Sequence, residues 1–220
     1  VDEPVPLQEG AASAPAAPHI EPEPPEWQPR AAWVGARQLT GAAAFFLLSF
    51  VFAYFYLKSL NVGHKWVIGH VSPPIGWGVA IAAVLVVSAV LLRLAVGRPA
   101  RALPLSLAAL VLSLVSVLLQ CLEYTTLGFG PASGGYASVF VGWTAFQAVG
   151  TLGCAYWIEV QVATLWRRAR EGSAWAGAQS APEAADGALL AANLEACSFF
   201  WGFYVFVAFA AFVILYLIGT

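Results

Sequence analysis

Three carboxylates stand within, or at the ends of, long apolar runs of this chain: Glu123, Glu159 and Glu195. A carboxylate at membrane depth is costly unless it is paired, hydrated or protonated. Such a group therefore either relays protons or fixes packing by accepting hydrogen bonds from Trp, Tyr and backbone donors. Glu159 and Glu195 are expected near one membrane surface and Glu123 near the other, and the first two could share a level. None is deep enough to force a proton-carrying role, so the packing role is preferred for all three. Gln120, Tyr124 and Trp201 lie close to them in sequence and are candidate polar anchors.

Other chemistry has little to work with. Cys121, Cys154 and Cys197 lie in separate apolar runs and read as small buried hydrophobes. His19, His64 and His70 fall in polar segments. A haem held by two imidazoles needs histidines on helices that face one another, so no haem or metal ligand is expected from this chain. No nucleophile is paired with a base, and phosphate-binding and zinc-protease motifs are absent. No catalytic, cofactor-binding or metal-binding residue is expected.

The elements that would position the carboxylates follow from composition. The 220 residues are 60% hydrophobic and only 10% charged, which indicates a polytopic membrane protein. A net charge of −2 without a basic stripe gives no support to nucleic-acid binding. Residues 1–38 are rich in Pro, Ala and Glu and read as an extended, solvated tail. The rest reads as an all-α membrane domain, 39–220, with five transmembrane helices at about 39–60, 75–94, 103–122, 136–166 and 189–218. The segment 61–74 reads as a polar loop, 125–135 as a glycine-rich loop and 169–187 as a low-complexity linker. Gly78 and Ala82, four apart, are expected to let helices approach closely.

Arg30 and Arg37, then Arg93, Arg98 and Arg101, then Arg167, Arg168 and Arg170 all fall on one side, and only Lys58 and Lys65 fall on the other. This asymmetry predicts a cytoplasmic N-terminus and an external C-terminus.

Three stretches resemble the subunit III family of haem-copper cytochrome c oxidases. Gln120-Cys121-Leu122-Glu123-Tyr124 is similar to the family's Gln-x-x-Glu-Tyr at a helix end. Gly135-Tyr136-Ala137-Ser138-Val139-Phe140 and Thr144-Ala145-Phe146 are similar to its Gly-x-Tyr-Gly-Ser-x-Phe and Thr-Gly-Phe-His pattern. Glu195-Ala196 followed by Phe200-Trp201-Gly202-Phe203 resembles its Glu-Ala, then Tyr-Trp-His-Phe. Together they cover the third to fifth spans, and Phe45-Phe46 with Ala53-Tyr54-Phe55 fits the first. The chain departs from the family at several ionisable positions. Gly41-Ala42-Ala43-Ala44 holds no carboxylate, Gln147 and Gly150 stand where the family has histidines, and Gly202 and Val205 replace a later His and Asp.

The resemblance implies a divergent five-helix form that lacks two N-terminal helices. It implies a non-catalytic subunit of a cytochrome c oxidase in a bacterial plasma membrane, packed on subunit I and near subunit II. Haem and copper would belong to those partners. Phospholipid would bind in a cleft between helix groups, supporting proton uptake and dioxygen access. Glu123 would brace the end of the third span with Gln120 and Tyr124, and Glu195 and Trp201 would anchor the start of the fifth. Two alternatives stand beside this: a subunit-III-like accessory protein of a nitric oxide reductase, and a small independent proton channel or transporter using Glu159 and Glu195.

Overall fold

The computed structural model describes residues 27–67, 72–170 and 181–218. Among them the chain is helical, with no strand: α1 (Gln28–Leu60), α2 (Ile75–Val96), α3 (Ala102–Thr126), α4 (Gly135–Arg170) and α5 (Ala181–Phe212), the last running on into a π-helical turn, Val213–Leu217. Among the described residues, five helices are long and apolar enough to cross a membrane. α4, the longest at 36 residues, measures about 54 Å against a hydrocarbon core of about 30 Å. It must tilt or extend beyond that core.

The helices pack in a ring, α1–α4–α3–α2–α5 and back to α1, with α4 and α5 also touching across it. The pairing of α2 with α3 is the most extensive. Polarity is inverted relative to a soluble bundle. Large apolar side chains such as Phe45, 82% exposed, face outward, while Ser106, Ser113, Ser116, Gln120 and Glu123 line the buried face of α3. In lipid an apolar exterior costs nothing, and small or polar residues between helices supply close approach and hydrogen bonds.

Two corrections concern helix starts. Residues 28–38, read from composition as tail, form the first turns of α1; residues 1–26 lie outside the described residues. Pro29 suits a first turn because its missing N–H would have no partner there. Ala36 is buried, and Trp33 packs on Phe199 of α5 with ring centroids 5.5 Å apart. These contacts outweigh the low local hydropathy. Likewise, α5 begins at Ala181, inside the stretch read as linker. The proposed loop histidines are partly settled: His64 lies in a short turn after α1, whereas His19 and His70 lie outside the described residues.

The connection after α1 positions the end of the bundle that carries Glu123. Asn61 adopts the left-handed conformation (φ 32°), and its N–H caps the Leu57 carbonyl at 3.1 Å. Its side-chain Oδ1 accepts from the Trp66 N–H at 3.1 Å. The carbonyls of Lys65 and Trp66 then accept from the N–H groups of Gly135 and Tyr136, at 3.0 and 2.9 Å. Two otherwise orphaned donors at the start of α4 are thereby satisfied by the first loop.

Candidate functional site

Glu123 lies near the last turn of α3 and is fully buried, with 0% of its surface exposed. One oxygen, Oε2, accepts from Gln120 Nε2 at 2.6 Å. These two residues are three apart, so they share a helix face. The other oxygen, Oε1, accepts from the Tyr216 hydroxyl at 2.6 Å. Tyr216 arrives from the π-helical turn that ends α5. Each carboxyl oxygen thus has a donor, which is the condition for burying the group.

Further bonds hold the same end together. The Tyr124 hydroxyl meets Thr144 Oγ1 at 2.7 Å, joining α3 to α4. The Tyr136 hydroxyl donates to the Leu215 carbonyl at 2.5 Å, joining α4 to the end of α5. Lys58 donates to the Tyr54 hydroxyl at 3.3 Å and to the Ile218 carbonyl at 3.2 Å, so α1 is tied to the same place. Around these bonds Tyr54, Trp66, Tyr136, Phe140, Trp143 and Tyr216 form one buried aromatic cluster.

Tyr216 can reach Glu123 because Gly78 of α2 gives way. A Cβ built on Gly78 would lie 2.7 Å from a ring carbon of Tyr216 and 2.9 Å from one of Phe212. The small residue at 78 therefore leaves room for the rings of Phe212 and Tyr216, from α5 and the turn that follows it. Gly150 of α4 does the same for Tyr204, whose hydroxyl donates to the Gln147 carbonyl at 3.0 Å.

The other expected anchors divide. Trp201 is buried, and its indole N–H donates to Ser88 Oγ of α2 at 3.1 Å. Ser88 in turn donates to the Ala109 carbonyl of α3 at 2.8 Å, so one relay joins α5, α2 and α3. Glu195 is half-buried and lines an open cleft with Trp33, Arg93 and Ser198, without an ion pair to Arg93. Glu159 is exposed on the outside of α4. The two carboxylates face different surroundings. Tyr124, expected to brace the end of the third span together with Glu123 and Gln120, bonds to Thr144 of α4.

Among the described residues no three His, Cys, Asp or Glu side chains come together as a metal-binding group. Arranged in this way, the polar side chains at the Glu123 end cross-link helices. No protein-family model matches the sequence, and no curated protein matches it.

Tyr216 is the partner that sequence reasoning missed. It sits in an apolar tail 93 positions from Glu123, and nothing local marks it out from the neighbouring aromatic residues. Ser88 shares the second span with one other polar side chain, Arg93, and nothing local marks it as the partner of Trp201.

Proposed function

We propose that this chain is a non-catalytic subunit of a haem-copper terminal oxidase, of the subunit III type. It lies in a bacterial plasma membrane with its N-terminus cytoplasmic and its C-terminus outside. It packs on the catalytic subunit, beside which phospholipid binds, and it supports proton uptake and dioxygen access there. Haem and copper belong to the partners.

One observation carries this proposal. Glu123, which anchors the first stretch of resemblance, has both oxygens engaged by Gln120 and Tyr216. The second stretch, with Tyr136, Phe140 and Thr144, packs around that same point. Residues that resemble a family's motif are thus spent on joining helices, as suits a scaffold working for a neighbour. Glu159, exposed on the outside of α4, gives no support to a proton path built from it and Glu195.

Affinity purification from native membranes in a mild detergent tests the proposal. The expected result is co-purification of a haem- and copper-containing subunit. A nitric oxide reductase subunit in its place would transfer the accessory role to that enzyme. Isolation of the chain alone, with proton flux in liposomes, would overturn the proposal in favour of a channel.

A further inference from the structure

Behind the Glu123 network, between α2, α3, α4 and α5, lies a cavity of about 40 Å³. Apolar residues of α2 and α5 form most of its wall, and its polar lining comprises Gln120, Trp143, Thr144, Gln147 and Tyr216. A smaller cavity of about 10 Å³ shares Gln120 and Gln147 with it and adds Ser116 and Thr151 towards the middle of the bundle. Gln147 is only 8% exposed, yet neither its amide nitrogen nor its amide oxygen has a hydrogen-bond partner. The Trp143 indole N–H, on a side chain with 0% exposure, is also unpartnered.

A buried primary amide with none of its bonds made is costly, and in native proteins such groups are paired with protein or with ordered water. Cavities that stay dry are lined by apolar groups, and a water needs about 10–15 Å³ and two to four polar partners. The larger cavity therefore has room for about two or three waters. An organic ligand would not fit this space. A cation finds no free carboxylate on the lining, because Glu123 is already engaged on both oxygens.

We propose that this cavity is an internal water-binding site in which the Gln147 amide and the Trp143 indole N–H are bridged by water to Gln120 and Tyr216. The bound waters extend the hydrogen-bond network of Glu123 from the end of α3 into the centre of the bundle. Gln147 supplies both donors and acceptors, and Trp143 supplies one donor. The site is a property of this chain's own packing and does not depend on the identity of any partner.

Radiolytic hydroxyl-radical labelling of the full chain, in its native complex or in lipid nanodiscs, tests this. Radicals formed from bound water modify the side chains beside that water, even when those side chains are buried. Trp201 is the internal control: it is 1% exposed, and its indole N–H is bonded directly to Ser88. Trp143 is expected to be modified several-fold faster than Trp201. In Gln147→Met the Trp143 rate is expected to fall to that of Trp201. Equal rates for the two tryptophans in the unaltered chain would overturn the proposal, as would a Trp143 rate unchanged in a folded Gln147→Met. If the variant does not fold, the comparison within the unaltered chain decides alone.

Discussion

The Tyr216 hydroxyl reaches across 93 positions of sequence to donate to Glu123 Oε1 at 2.6 Å. This bond closes the bundle at one end, because it ties the π-helical turn after α5 to the last turn of α3. Tyr216→Phe removes the donor and leaves a buried carboxyl oxygen unsatisfied, at a cost of about 1–3 kcal/mol. Unfolding in mixed micelles should register that loss. Glu123→Leu orphans two donors, Gln120 and Tyr216, and should cost more than Tyr216→Phe, whereas Glu123→Gln keeps bonding capacity and should cost less. The double variant Tyr216→Phe/Glu123→Leu should be less unstable than the sum of its parts, since both act on one bond.

Gly78 should behave as part of the same contact. A Cβ at that position meets the rings of Tyr216 and Phe212 well inside contact distance. Gly78→Ala is expected to destabilise by about 1–3 kcal/mol, the usual range for an overpacked core. In a Tyr216→Leu background the cost should shrink. An equal cost in both backgrounds would show that Gly78 does not act through the ring.

Deeper in the bundle, Trp201 and Ser88 form a relay between α5, α2 and α3. Trp201→Phe removes the donor and part of the buried ring system, and should cost more than the about 0.5–1.5 kcal/mol of a hydrogen bond alone. Ser88→Ala leaves the indole N–H without its acceptor and should cost about 1–3 kcal/mol, and the pair should be non-additive in a double-mutant cycle. Strict additivity would show that the indole bond contributes nothing.

Orientation is open to chemical labelling. Ala132 lies in the loop between α3 and α4, and Ala100 lies in the turn between α2 and α3; both are exposed. The arginine asymmetry predicts that Ala132→Cys reacts with a membrane-impermeant thiol reagent in intact cells, and that Ala100→Cys reacts only after lysis. The opposite pattern would invert the topology proposed above.

The spans were legible because apolar runs of this length have few other fates. Helix ends were less so. The first turns of α1 are fixed by Trp33 against Phe199 and by the burial of Ala36, contacts that span distant parts of the sequence. At the candidate site, Gln120 and Glu123 were readable as a pair because their spacing of three puts them on one helix face. Tyr216 was not, because its role depends on the space left by Gly78 and on the path of α5. Glu159 and Glu195 looked alike as carboxylates near span ends. Helix rotation, which composition does not reveal, turns one outward and sets the other in a cleft.

The most direct test of a supporting role separates the chain from the assembly that co-purifies with it, followed by measurement of iron, copper and haem absorbance in each fraction. The expected result is that all three stay with the catalytic partner and that the separated chain carries none. Iron or copper retained in stoichiometric amount by this chain, ligated by its own side chains, would contradict that role.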